Sequence, residues 1–314
     1  MTGFRLMFDG AGICCLAAML AAGAGASGDN PSLVERLGYP PDSRLLIINA
    51  DDAGMNHAGN RAIIRGMQSG GLSSTTVMVP CPWFPEVAEF ARRHPDADIG
   101  VHLTLNSEWK RYRWRPLLGP DVPGLQDADG YLHRDVEGVY GHATPAEAYR
   151  EARAQIQRAL DAGIDVTHID SHMGTLQKDP RYFEVYLRLA GEFDLPMRVA
   201  SQALLAAHGL GQRRARVRAA GVCCPDYLVY RQRREDEALP EYFDRIVSHL
   251  QAGVTEIYVH PAEDSPSLRR VTHAWSPRVN EAAFFSDGGA VRERLARQGV
   301  ILIGYRELRN LQRS

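Results

Sequence analysis

Carboxylates and imidazoles in this chain gather at a few places, each beside an apolar run. Arg44–Ala50 leads into Asn49-Ala50-Asp51-Asp52-Ala53-Gly54, and Asp98–Leu105 carries His102. Asp165–Asp170 runs into His168-Ile169-Asp170-Ser171-His172, and Glu256–His260 ends in His260-Pro261. These side-chain types bind divalent metals and move protons near neutral pH. Each cluster alone has an ordinary structural explanation: a capped turn, a hydrogen-bonded core histidine or a polar strand end. All four together, at the ends of otherwise very apolar segments, share one economical explanation, a metal site. Two neutral imidazoles and one carboxylate leave positions open for water and substrate. The candidates are Asp52, His102 and His172. Neighbouring strand residues point to opposite faces, so Asp51 and Asp52 are expected to do different jobs, one as ligand and one toward the attacking water. His168 and Asp170 are candidates to orient a ligand from behind.

Successive clusters are separated by 50, 70 and 88 positions along the chain, so a scaffold must bring them together. The pattern predicts strands at Arg44–Ala50, Thr75–Val79, Asp98–Leu105, Asp165–Asp170, Met197–Ala200, Asp226–Tyr230, Glu256–His260 and Val300–Tyr305. Helical patterns lie between them, near Asn60–Gly70, Pro85–Arg93, Pro145–Ala162, Pro180–Phe193, Glu241–Ala252 and Ala290–Gln298. Several open with Pro and close before Gly, as helix boundaries prefer. Runs such as Leu45-Leu46-Ile47-Ile48 are apolar throughout, which fits parallel strands buried on both faces. Eight strands of this type predict an α/β chain folded as a single distorted (β/α) TIM-like barrel, in which every strand's C-terminal end opens on one face. Two stretches, Trp109–Ala143 and Pro261–Asp287, break the rhythm and read as long functional loops.

The composition narrows the options. The chain has 314 residues, 45% of them hydrophobic, and 36 basic against 38 acidic side chains. That is globular composition, and it offers no basic footprint for nucleic acid. No G-x-G-x-x-G follows the first strand, so a dinucleotide-binding domain has no support. Residues 1–26 read as a signal peptide, with Arg5 in the n-region and a small-residue run offering cleavage after Ala24 or Ala26. The run is too short to span a bilayer. The mature protein, residues 27–314, is therefore expected to be one exported domain, periplasmic or secreted, with no stable membrane span. Beyond the signal, Cys81, Cys223 and Cys224 lack metal-finger spacing and read as structural.

The ordered set Asn-Ala-Asp-Asp-Ala-Gly, Thr75–Pro80, Gly-Val-His-Leu-Thr-Leu, His-Ile-Asp-Ser-His and the later His-Pro resembles the YdjC-like (ChbG/HpnK) carbohydrate deacetylase family. The match extends from about Leu45 to Tyr305. Departures occur at Ala53, at Met173-Gly174 and at Ala262 after His-Pro, while the ligand set is intact. The resemblance implies a distorted barrel and a divalent metal, Zn²⁺ or Mg²⁺, held by Asp52, His102 and His172. It also implies hydrolysis of an acetyl group from a sugar or oligosaccharide, an amide bond being the one cleaved. The resemblance makes Asp51 the base. The chemistry also needs an acid for the leaving nitrogen, for which His260 is the candidate. Arg198 would orient Asp51 or the substrate. Trp109, Trp114 and Trp275, in the two long loops, are candidates to stack on sugar rings. Two further readings keep the same residues: a non-haem Fe(II) enzyme and a non-catalytic sugar-binding protein with a relic metal site.

Overall fold

The computed structural model describes residues 31–229 and 237–314; the expected signal peptide lies outside them. Among the described residues, seven strands form one parallel sheet. They are β1 (Arg44–Ala53), β2 (Ser74–Val77), β3 (Ile99–Leu103), β4 (Val166–Ser171), β5 (Tyr227–Val229), β6 (Gly253–Val259) and β7 (Val300–Leu302). The order is β4-β3-β2-β1-β6-β5, and β7 pairs with the first half of β1. Leu45, Leu46, Ile47 and Ile48 are fully buried, because a curled sheet covers one face of β1 and helices cover the other. The result is a half-barrel wrapped in helices, a distorted (β/α) barrel.

Local chemistry sets the intervening helices. The Asn56 side chain caps His57–Ser69 by accepting from the Gly59 N–H, and Gly70 ends that helix at φ 75°. Thr144 and Glu147 form a capping box at the start of Pro145–Asp161. Pro261–Asp287 does not form the expected loop, since it holds the helices Pro266–Val271 and Trp275–Phe285. Its Ser-Pro pairs mark first helical turns: Ser265 caps one helix and Pro277 lies in the first turn of the other. Trp109–Ala143 keeps its loop character apart from short 3-10 turns and the helix Val136–His142.

The expected strand Met197–Ala200 is also absent as a ladder. It is reduced to one parallel bridge, Ile169 with Met197. Pro196 has no N–H to donate, and the Met197 N–H is given to Cys223 O at 3.0 Å. The side of the barrel between β4 and β5 is thus held by isolated hydrogen bonds. Cys81, Cys223 and Cys224 are buried free thiols. No helix among the described residues is long and apolar enough to cross a membrane.

Candidate metal centre

β1 carries the first functional residues on a bulge. Its register against β2 runs Asn49 to Ser74 and Ala50 to Thr75, then Ala53 to Val77. β1 advances three residues while β2 advances two, so one residue is extra. The backbone takes up the excess at Asp52, whose φ of 69° lies in the left-handed region that Asp tolerates better than most residues. Gly54 follows at φ 86°, a left-handed conformation that strains any side chain, and a Cβ there would press on Val77 and the Met78 carbonyl at 3.2 Å. The bulge breaks strand alternation, so Asp51 and Asp52 both reach the same cavity.

Asp52 meets two imidazoles there. Its Oδ1 is 3.5 Å from His102 Nε2 and 3.5 Å from His172 Nδ1, and those nitrogens are 3.1 Å apart. The outer nitrogens of both rings are committed. His102 Nδ1 donates to Asp170 Oδ1 at 2.5 Å, and His172 Nε2 donates to Glu108 Oε2 at 3.0 Å. With both rings neutral, the inner nitrogens would present lone pairs to each other and to a carboxylate oxygen, an arrangement that calls for a positive charge between them, a metal ion or, without one, a proton on His172. Asp52 Oδ1 is buried without a hydrogen-bond partner, whereas Oδ2 accepts from Arg278 at 2.7 Å. The electrostatics agree. Burial pushes the His172 pKa down, but Glu108 and Asp52 more than reverse this and lift it to about 10. Burial disfavours the Asp52 carboxylate too, yet Arg278 and the histidines hold its pKa well below the usual value. An N,N,O donor set with one orphaned oxygen fits a divalent metal.

A second group of possible ligands, Asp51, His102 and Asp170, adjoins the first. It already has its cation. The Arg198 guanidinium is 2.7 Å from both Asp51 oxygens, 2.7 Å from Asp170 Oδ2 and 2.6 Å from Glu256 Oε1. All four side chains are buried, and Tyr305 caps the far oxygen of Glu256 at 2.5 Å. Asp51 also accepts from Asn49 at 2.8 Å. Burial raises the Asp51 pKa, but Arg198 outweighs burial and leaves it at about 2. His260 lies across the cavity, with Nε2 4.0 Å from Asp51 Oδ2. Its pKa is lowered, chiefly by burial and by Arg278, against the pull of Asp52 and Asp51.

The structure thus brings Asp51, Asp52, His102, Asp170, His172, Arg198 and His260 together. It leaves out His168. That ring lies deeper in the barrel, stacked on Tyr305 at 3.7 Å, and its Nδ1 contacts Thr167 at 2.9 Å rather than any ligand. Gly100 is required there, because a Cβ would stand 2.6 Å from the His168 ring. The tryptophans are not on the cavity wall either. Trp114 is buried, donates to Asn106 O at 2.7 Å and meets the His172 ring edge-on at 6.3 Å. Trp109 backs Arg278 at 5.9 Å, and Trp275 packs under Arg269 at 4.3 Å. Sequence reasoning missed Glu108, Glu256 and Arg278. Arg278 lay in a stretch read as loop, and neither acid has a spacing that marks it.

The cavity has a volume of about 850 Å³. From the polar cluster it extends past Met173 and Phe183 toward Leu204, Leu205 and Leu210. A parallel α/β barrel with acids, imidazoles and a buried guanidinium converging at its C-terminal rim is the architecture of an enzyme. Comparison with known proteins identifies which kind. The YdjC-like protein family model matches residues 45–297. The chain belongs to that family. It is 32% identical over 269 residues to a carbohydrate deacetylase of Geobacillus stearothermophilus, covering 85% of this chain and 99% of that protein. It is 31% identical over 283 residues to a carbohydrate deacetylase of Enterococcus faecalis, covering 85% and 98%. A crystal structure of an Enterococcus faecalis V583 protein named for cellobiose-phosphate cleavage superposes with a TM-score of 0.73 at 30% identity, over 85% of this chain and 99% of that one.

Proposed function

We propose that this protein is a metal-dependent carbohydrate deacetylase that hydrolyses the N-acetyl group of a sugar or oligosaccharide. The observation that carries the reading is the orphaned Asp52 Oδ1 facing the inner nitrogens of His102 and His172, next to a second carboxylate that is not needed as a ligand. Asp52, His102 and His172 would hold the metal, Zn²⁺ or Mg²⁺. A divalent cation there supplies Lewis acidity toward the acetyl carbonyl and the attacking water.

The chain's own residues do the rest. Asp51 stays ionised at working pH and, fixed by Arg198 on both oxygens, accepts the water's proton. Arg198 is itself fixed by Asp170 and Glu256, so the base cannot swing away. His260 faces the same space, with Nε2 4.0 Å from Asp51 Oδ2; burial and Arg278 keep it neutral at rest, so it would protonate the departing amine only after taking up a proton during turnover. Arg278 neutralises the Asp52 oxygen that faces away from the imidazoles. Relatives named carbohydrate deacetylase support the substrate class. We further propose that the mature chain is a single domain exported behind the signal-like residues 1–26.

Acetate release from N-acetylated and O-acetylated glycans, measured after chelation and after adding back Zn²⁺ or Mg²⁺, tests this function. The expected result is release from N-acetyl glycans that stops with chelator and returns with metal. Turnover indifferent to chelation would sink the metal assignment, and no release from any acetylated glycan would sink the reaction.

A further inference from the structure

The two candidate histidine ligands are held in opposite senses. His102 turns Nε2 inward and gives Nδ1 to Asp170, whereas His172 turns Nδ1 inward and gives Nε2 to Glu108. Asp170 reaches His102 from the neighbouring strand, where it is paired directly with it in register. No strand does this for His172. It lies just past the end of β4, where the backbone leaves extended geometry and Met173 and Gly174 follow at φ 54° and 68°. A ring at that point has no ladder to fix its orientation, and neutral imidazole can carry its proton on either nitrogen.

We infer that Glu108 is the positioning residue that fixes the tautomer and rotation of His172, so that Nδ1 is the nitrogen offered to the metal. This rests on the metal reading above. Glu108 belongs to the loop after β3, so that one chain segment supplies the ligand His102 and the partner of the ligand His172. The same loop holds the ring from a second side through the edge of Trp114, itself anchored by Trp114 Nε1 on Asn106 O and by Ser107 Oγ on the Trp114 N–H. The loop that sequence reasoning assigned to sugar stacking thus backs the metal ligand. Carboxylates in this position orient ligating imidazoles and raise their basicity, and losing one typically costs about 10–100-fold in metal affinity.

The test is Zn²⁺ titration of the metal-free full chain as wild type, Glu108→Ala and Glu108→Gln, with nitrogen-15 imidazole spectra of the Zn²⁺-loaded proteins. Glu108→Ala is expected to weaken Zn²⁺ about 10–100-fold. Glu108→Gln, whose amide oxygen still accepts the Nε2 proton, should stay within a few-fold of wild type. In wild type the His172 spectrum should show Nε2 protonated and Nδ1 metal-bound, and that signature should become mixed in Glu108→Ala. With saturating Zn²⁺, KM for an N-acetyl glycan should be unchanged. Equal Zn²⁺ affinity in all three proteins would overturn the role, as would a raised KM at normal Zn²⁺ affinity, which makes Glu108 a substrate contact. A wild type that binds no Zn²⁺, Mg²⁺ or Mn²⁺ overturns the metal reading itself, an outcome that differs from both.

Discussion

His168 and His172 stand four residues apart, and both are buried. Their surroundings drive them in opposite directions. Around His168 burial dominates and the nearby Arg198 adds to it, holding the pKa well below the ordinary value. Its ring packs flat on Tyr305 in the barrel interior. Around His172 burial acts the same way, but Glu108 and Asp52 are both within 3.5 Å and reverse the sign. The charged form of the imidazole is disfavoured at His168 and favoured at His172. Burial therefore does not make a histidine functional; converging carboxylates with an unsatisfied oxygen between them do.

Exchanging the two histidines for alanine gives the largest contrast. His172→Ala, like His102→Ala, should abolish stoichiometric metal binding and bring acetate release to background while the barrel remains folded. His168→Ala should keep full metal occupancy by elemental analysis. If His168→Ala loses the metal, the division into an inert layer and a reactive rim fails.

The next contrast lies within the rim. Asp51→Asn should keep the metal and slow turnover about 10²–10⁴-fold, the usual cost of losing a general base. Asp52→Asn should lose metal first. Side-by-side metal stoichiometry and acetate release would exchange the two roles if Asp51→Asn is the variant that fails to bind. Stability is the third measure, and here the deeper layer is the sensitive one. His168→Ala should lower unfolding free energy by roughly 2–4 kcal/mol, as a large-to-small change in a packed core does. A value near zero in urea titrations would mean that the stacking on Tyr305 contributes nothing.

The smallest expected effect extends the comparison to a carboxylate whose charged form burial disfavours, as it does at His168. Asp98 lies beside Thr167, accepts from the Arg306 N–H at 2.7 Å, and is raised by burial from 3.8 to about 6. The folded state therefore binds more protons than the unfolded state between about pH 4 and pH 6. Stability from this group is greatest below pH 4, falls through pH 6 and is level above it. The whole change amounts to about 2–3 kcal/mol. Asp98→Asn should remove that slope, read as the difference between wild-type and variant unfolding curves across pH 4–7. Parallel curves would show that Asp98 titrates normally.

Much of this was legible in the residues. Unbroken apolar runs predict buried parallel strands, Pro and capping residues mark helix starts, and polar residues at strand ends mark one face as reactive. Alternation failed at Asp51 and Asp52. The rule that neighbours diverge holds for a regular ladder, and a one-residue bulge with Asp52 at φ 69° turns both carboxylates into one cavity. His-Ile-Asp-Ser-His also looked uniform. Only the packing shows that Asp170 backs a ligand while His168 fills the interior against Tyr305.

The chain's own order of residues determined the strand and helix periods, the barrel class and the set of ionisable groups at strand ends, because these follow from local burial patterns and turn chemistry. Tertiary structure alone decided which of those groups share an oxygen, a proton or a cation. Arg198 reaches Asp51 across 147 positions and Arg278 reaches Asp52 across 226, and Glu108 finds His172 from a loop with no regular period. Charge pairing depends on distances of a few ångströms through space, and separation along the chain carries no trace of it.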